Sequence, residues 1–267
     1  METDVCVVGG GPAGLVLGLL LAREGAQVVV CEKHEDFLRD FRGDTVHPST
    51  LDLLADLGLS KEFDALPHRA VTRLAIDLPD GTWPAADWQI AYVFAKNGYA
   101  QVQAEGLPAF RASITDVVPE FGDRVDEITG WDDLRLLTVT VDRLDRWHAP
   151  GVLLIGDAAH AMSPIGGVGI NLAVQDAVAA ARILARPLRE RRLSSAVLAD
   201  VQRRRRLPAV GTQLFQRLAQ QAIVRPVLAG GRPVTAPFPL RLLSRFPALQ
   251  AVPARLVGVG IRPERLG

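Results

Sequence analysis

The sequence predicts an α/β fold with a parallel sheet, and three observations carry that prediction. Two short β-branched runs, Asp4–Val8 and Gln27–Cys31, flank a helical pattern from Pro12 to Glu24. A third run, Gly151–Ile155, precedes a glycine-rich loop and a strong helix of small and apolar residues from Ile170 to Leu184. Between them, Val71–Leu78 and Leu134–Val141 alternate apolar with polar residues, so a second, antiparallel sheet is expected beside the parallel one.

Each element has a local reason. The first run ends at Gly9, Gly10 and Gly11, so a buried strand turns tightly into the helix beginning at Pro12. Gly25 closes that helix and the second strand ends at Glu32, which makes residues 4–32 one βαβ unit. Thr50–Leu57 reads as a short amphipathic helix stopped by Gly58. Val71–Leu78 runs into a Pro79-Asp80-Gly81 turn, and Trp83–Val93 is expected to return antiparallel. Leu107–Val118 is expected as a helix, Leu134–Val141 as a strand and Gly151–Ile155 as a third buried parallel strand. Beyond Leu184, Ala196–Arg206 and Val210–Val224 read as two helices separated by Pro208, and residues 225–267 lack sustained periodicity. These patterns divide the chain at 1–70, 71–147, 148–185 and 186–267, the last a basic region of helices and loops.

Composition narrows the class. A chain of 267 residues with 48% hydrophobic and 22% charged residues is neither disordered nor a rod. At this length, folding buries roughly 70–75% of the unfolded surface. The 30 basic and 30 acidic residues cancel overall but not locally: residues 1–181 hold 13 basic against 27 acidic, and residues 182–267 hold 17 against 3. The simplest consequence is a basic C-terminal region docked on an acidic N-terminal one, with Arg203–Arg206 on a solvated or docking face. Nucleic-acid binding is not expected, because no aromatic residues interleave with the arginines. Cys6 and Cys31 lie in apolar runs and are expected as buried free thiols, and no spaced Cys and His group suggests a metal site. The chain opens without a basic leader and its longest early apolar run, Leu15–Ala22, is too short for a membrane span, so a reducing, cytoplasmic setting is expected.

Chemistry concentrates in two glycine-rich loops. Gly9-x-Gly11-x-x-Gly14 sits between a strand and a helix: Gly9 permits the turn, Gly11 lets a pyrophosphate approach the backbone, and Gly14 allows helix and strand to pack. The helix start offers unpaired N–H groups and a positive dipole end. Glu32, 21 residues after Gly11, is placed to accept hydrogen bonds from a ribose hydroxyl pair and to repel a 2′-phosphate, which favours FAD or NAD over NADP at this position. The second loop runs Gly156-Asp157-Ala158-Ala159-His160-Ala161-Met162-Ser163-Pro164-Ile165-Gly166-Gly167-Val168-Gly169-Ile170-Asn171, after a predicted strand and before a predicted helix.

Together with the Arg42-Gly43-Asp44 segment, these loops resemble the FAD-dependent monooxygenases of the para-hydroxybenzoate hydroxylase-like family. The resemblance implies a Rossmann-like FAD-binding domain with an antiparallel β substrate domain. It implies NADH or NADPH as electron donor, molecular oxygen as oxidant, and hydroxylation of a small aromatic or similar substrate through a flavin C4a-hydroperoxide. By the same resemblance Gly9, Gly10, Gly11, Pro12, Ala13, Gly14, Glu32 and Lys33 would hold the adenosine half of FAD, and Arg42 its pyrophosphate or the incoming nicotinamide nucleotide. Asp157 would hold the ribityl chain, Pro164 would lie beside the isoalloxazine ring, and Gly166, Gly169, Ile170 and Asn171 would face the ring at a helix start, whose dipole suits a reduced, anionic flavin. His160 invites a general-base role, but an isolated histidine beside a helix start is more often a structural hydrogen-bonder. No side-chain nucleophile is needed, because the cofactor carries the hard chemistry.

One departure from the family stands out. The long middle region that carries most of the family's substrate domain is expected to be missing, with the joint at Ala86-Asp87-Trp88-Gln89. Its loss leaves an incomplete sheet with unpaired backbone groups and a substrate cavity short of a wall. A truncated FAD-binding module with uncoupled NAD(P)H oxidase activity, or none, is therefore the alternative to a working hydroxylase. A simple NAD-binding dehydrogenase would leave the second loop without a role.

Overall fold

The computed structural model describes residues 2–35, 45–68, 92–94, 97–122, 124–134, 136–137, 139–221 and 247–266. They fall into two compact units: one of Met1–Ser60, Leu137–Val227 and Gly231–Gly267, the other of Lys61–Leu136 with Leu228–Gly230.

In the first unit β1 (Val5–Val8) pairs parallel with β2 (Val28–Cys31), Val5 opposite Val28 through Val8 opposite Cys31, and α1 (Pro12–Arg23) connects them. The βαβ unit expected over residues 4–32 is present. Pro12 opens α1 because a first-turn residue has no intrahelical N–H bond to lose. Packing is close enough to require glycine. A Cβ on Gly14 would stand 2.0 Å from the Gly9 carbonyl oxygen, and one on Gly18 would stand 2.9 Å from Val30 Cγ2.

The core lies where α1 meets α6 (Val168–Arg189). Leu17, Leu20 and Leu21 pack against Val174, Ala177, Val178 and Ala181, with Leu53 and Leu57 from the α2 (Pro48–Asp56) side and Leu198 and Val201 from α7 (Ser195–Ala219). Each fully buried Leu or Val contributes roughly 1.5–3 kcal/mol of hydrophobic stabilisation. By length and composition alone α6 would pass for a membrane span, yet its apolar stretch is 78% buried among these helices.

Among the described residues only one face of the two-stranded sheet is covered. Cys6, Val8 and Cys31 are exposed, Val8 at 86%, which overturns the expectation of buried thiols. Apolar surroundings in sequence bury a strand on both faces only when both faces have partners. The two sulfurs stand 3.9 Å apart, and the hydrogen bond to Cys31, with its nearby charge, raises the Cys6 pKa.

The remaining strands among the described residues are short and antiparallel: β3 (Asp142–Arg143) pairs with β6 (His160–Ala161), and β4 (His148–Ala149) with β5 (Val152–Leu153). The third parallel strand expected over Gly151–Ile155 is therefore absent from the described sheet. Pro150-Gly151, with Gly151 at φ 75°, has the composition of a tight turn and folds Val152 back onto Ala149 instead. The strand expected over Leu134–Val141 is likewise not formed by its described residues, of which Leu136 and Val139 are exposed without a pairing partner. Val71–Leu78, the Pro79-Asp80-Gly81 turn and residues 83–91 lie outside the described residues, and Tyr92 and Val93 are not in a strand.

Two corrections concern proline. α7 runs unbroken through Pro208, which is buried within it. An interior proline costs ~3 kcal/mol of helix stability, and tertiary packing offsets it here. Residues 247–258, expected to be irregular, form α8 (Pro247–Gly258), which starts on a proline as α1 does.

In the second unit α3 (Ser60–Asp64) straddles the boundary, and α4 (Tyr99–Glu105) and α5 (Leu107–Val117) precede short 3₁₀ turns. Phe110, Ile114, Phe121 and Val125 form its core, and Arg111 ties it together by donating to the Ile128 carbonyl. The helix expected at Leu107–Val118 is thus present, whereas α4 carried too weak a pattern to be expected. No strand occurs among the described residues of this unit.

Gly14→Ala is expected to destabilise the protein by at least about 1–3 kcal/mol, the usual cost of overpacking, because the added methyl meets backbone that cannot rotate away. Urea unfolding of the variant against the parent measures this.

Candidate dinucleotide and ring site

The first loop has the geometry its glycines suggest. Gly9 adopts φ 108°, a conformation costly for any other residue, and its N–H donates to the Cys31 carbonyl at 2.7 Å. α1 is preceded by Gly11 as its N-cap, with no side-chain cap and no acidic residue in its first turn, so no residue of the helix itself supplies an anion to its N-terminal dipole end. Glu32 is anchored beside it. Its carboxylate accepts from the Gly10 N–H at 2.6 Å and from the Lys33 and His34 N–H groups at 2.9 and 3.1 Å.

The second loop meets the first through Gly156. At φ 59°, a Cβ there would lie 3.2 Å from Ala13 Cβ of α1 and 3.3 Å from Ala173 Cβ of α6. Gly9–Gly14 and Gly156–Asn171, more than a hundred residues apart in sequence, therefore share one site. Asp157 follows on a 3₁₀ turn with its side chain exposed. Pro164, Gly166 and Gly167 then lead into α6, with Gly166 at φ 81° and Gly167 at φ 60°. Two successive left-handed residues aim the α6 N-terminus, which also lacks a side-chain cap and an acidic first turn.

Other elements hold this loop by groups the sequence reading did not single out. His47 Nε2 lies 3.0 Å from the Gly167 carbonyl, and Ser49 and Thr50 donate to Asn171 Oδ1 at 2.6 and 3.0 Å. The Asn171 side chain is thus a clamp between α2 and α6. From α7, Gln216 accepts the Ser163 N–H and donates to the Ser163 and Ile165 carbonyls, while Gln213 donates to the Asp142 and Ala161 carbonyls. These amides, one helical turn apart, act as a surrogate strand for residues 161–165.

Asp176 is the centre of the arrangement. Fully buried in α6, it accepts from the Gly156 N–H at 3.1 Å, from His160 Nε2 at 2.6 Å and from Arg205 Nε at 2.8 Å. His160 is 2% exposed, and its ring packs 4.8 Å from that of the buried Trp147. That setting makes His160 a structural hydrogen-bonder. Burial alone would raise the Asp176 pKa; the hydrogen bond and charge of His160, joined by Arg205, more than reverse this and leave it lowered. The signal in the sequence was an ionisable residue within an otherwise apolar helix, which demands a partner.

Arg42 lies outside the described residues. Glu32 and Lys33 directly follow β2, and the other residues expected at the site fall on the two loops or at the starts of α1 and α6. The basic C-terminal region packs on the acidic N-terminal one in part through ion pairs: Arg189 with Glu24 at 2.8 Å and Arg265 with Asp52 at 3.9 Å.

A βαβ unit whose helix start shares a site with a second glycine loop defines a flavin-dependent oxidoreductase fold. The chain belongs to the FAD binding domain family, whose model matches residues 2–81 and 81–216, and thereby to the FAD-dependent monooxygenases, whose general chemistry is NAD(P)H-driven hydroxylation. It is 28% identical to 6-methylpretetramide 4-monooxygenase of Streptomyces rimosus, over 96% of this chain and 92% of the relative. That alignment runs over 389 positions against 267 residues here, so more than a hundred positions have no counterpart in this chain. Among solved structures the fold is similar to OxyS anhydrotetracycline hydroxylase of Streptomyces rimosus, with TM-score 0.64 and 20% identity, covering 100% of this chain and 78% of that one. It is also similar to PqsL, a probable FAD-dependent monooxygenase from Pseudomonas aeruginosa, with TM-score 0.61 and 18% identity, covering 85% of this chain and 98% of that one.

Asp176→Ala leaves Arg205 buried with Glu264, at 3.7 Å, as its remaining carboxylate. It is expected to cost about 3–5 kcal/mol, read by urea unfolding at pH 7. Because the folded pKa of Asp176 is lowered, its contribution is present above the unfolded value of about 3.9 and is lost as pH falls through the folded value. The urea midpoint should therefore fall more steeply below about pH 4 in the parent than in Asp176→Asn.

Proposed function

We propose that the paired loops hold one FAD and that the protein uses it to hydroxylate a small aromatic or similar substrate. The observation that carries this reading is the contact of Gly156 with the start of α1, which brings the second loop to the first. Several features suit the dinucleotide. Two helix starts lack side-chain caps, Gly9, Gly166 and Gly167 hold left-handed backbone, and a carboxylate is fixed beside the glycine turn.

In this reading Gly9, Gly10, Gly11, Pro12, Ala13 and Gly14 cradle the pyrophosphate, with Glu32 and Lys33 at the adenosine ribose and Arg42 at the phosphates. Asp157 holds the ribityl chain, and Pro164, Gly166, Gly169, Ile170 and Asn171 line the ring. When bound, FAD supplies electron transfer from NADH or NADPH and the activation of molecular oxygen. The chain's own contribution is position and field. Backbone N–H groups at the start of α6 stabilise negative charge. Gln213 and Gln216 keep residues 161–165 from drifting away from that helix start, and His160 fixes the loop through Asp176 without taking part in proton transfer.

A second reading rests on the exposed sheet face and on the aligned positions that have no counterpart here. In this reading residues 71–147 are the reduced remnant of the family's substrate domain. A pocket with less wall excludes water less well, which favours release of hydrogen peroxide over hydroxylation.

The purified protein is expected to be yellow, to consume NADH or NADPH, and to return much of that consumption as peroxide unless a phenolic substrate is added. Colourless protein that takes up no added FAD overturns the proposal. Glu32→Ala should weaken FAD binding at least about tenfold, since hydrogen bonds to a charged group contribute roughly 1.5–3 kcal/mol, and fluorescence titration with FAD measures it.

A further inference from the structure

Midway along α6, a cavity of about 440 Å³ opens between that helix, α7 and the C-terminal segment. Its walls carry Arg182 and Ile183 from α6, Asp200, Arg203 and Arg204 from α7, and Arg262 and Glu264 from the segment after α8. It lies three to four helical turns, roughly 16–22 Å, along α6 from the start that the ring site uses.

The charges do not cancel. Glu264, 4% exposed, accepts from Arg204 at 2.6 and 3.1 Å and from Arg182 at 3.4 Å. Its hold on Arg204 raises that guanidinium's pKa. Asp200 is paired with Arg203. Four guanidinium groups thus face two carboxylates, an excess of two positive charges in a concave site. Among the described residues none forms an ion pair with Arg262, which is exposed and held at φ 54°, an unusual backbone state for a residue with a side chain. Arg205 stabilises that conformation by donating to the Arg262 carbonyl at 3.3 Å. The half-exposed Arg182 spends one nitrogen on Glu264 and the Arg265 carbonyl, and a guanidinium has five N–H donors.

We infer that this cavity is a binding site for a small phosphate-bearing anion, separate from the dinucleotide site. Planar guanidinium groups match phosphate oxygens through paired hydrogen bonds, and several converging in a concave site recognise a diphosphate better than a monovalent anion. The volume falls in the range of small-molecule sites, about 300–1,000 Å³. Arg203 and Arg262 carry the recognition: Arg262 forms no ion pair among the described residues, and Arg203 is paired with the half-exposed Asp200, whereas Arg204 is held by the buried Glu264.

The test is calorimetric titration of the protein with inorganic pyrophosphate in the presence of excess FAD, which occupies the glycine loops. Saturable one-to-one binding that weakens with added salt is expected. The double variant Arg203→Ala/Arg262→Ala should bind at least tenfold more weakly while its FAD content is unchanged, and Arg206→Ala, an exposed arginine outside the cavity, should bind as the parent does. No saturable binding, or equal weakening in Arg206→Ala, overturns the inference. So does binding to vesicles containing phosphatidylinositol phosphate without binding of free pyrophosphate, which would assign the arginines to a membrane surface.

Discussion

One buried carboxylate holds the site together. Asp176 reaches the Gly156 N–H, His160 and Arg205 at once, so a single group in the middle of α6 fixes the turn that touches α1, the strand that follows it and the helix that packs behind. A carboxylate in that position is costly unless its lone pairs are used, and here the three partners come from two separate stretches of chain, the second glycine loop and α7. The same requirement makes it specific. Only one arrangement of α6, α7 and the second glycine loop satisfies the group, and that arrangement sets Gly156 against Ala13. Arg205 extends the linkage to the C-terminal segment through the Arg262 carbonyl and Glu264. The basic tail is thereby part of the framework that aims the loops.

Backbone conformation does the rest. Gly9 on one side and Gly166 and Gly167 on the other turn the chain so that two helix starts are left without side-chain caps. A helix start without a cap leaves N–H groups seeking acceptors, a state a stable fold tolerates where a ligand completes it. α7 meets the opposite need. The residues from Ala161 to Ile165 are not in a continuous ladder, and Gln213 and Gln216 supply the hydrogen bonds a neighbouring strand would have supplied. Such side-chain substitution keeps an irregular loop rigid without making it regular.

What could be read from the sequence was whatever depends on near neighbours. The βαβ unit, the roles of Gly9 and Gly14 in turning and packing, and the helix that ends just before Gly58 follow from spacing within a few tens of residues. Long-range pairing was not legible. Gly151–Ile155 has the composition of a buried parallel strand, but Pro150-Gly151 turns it into a hairpin, and composition does not say whether a partner strand is present. Cys6 and Cys31 were misjudged for the same reason: burial of a strand residue belongs to the covering layer, not to the strand. The partners of Asp176 come from up to 29 residues away in sequence, so the pattern shows that the acid needs company without naming Arg205.

The exposed sheet face and the buried ionic framework belong to one account of a shortened family member. Hydrophobic burial scales with the layers available, and among the described residues the β1–β2 sheet has helices on one side only. A fold that loses covering surface must draw more of its order from directional interactions. In this chain those are concentrated where α6, α7 and the C-terminal segment meet, with Arg182, Arg204 and Arg205 around Glu264 and Asp176. Directional interactions depend on pH and salt in a way that apolar packing does not. The dinucleotide site therefore inherits the electrostatics of a framework that lies behind it, and conditions that weaken the Asp176 linkage loosen Gly156, and with it the junction of the two loops, before they disturb the α1–α6 core.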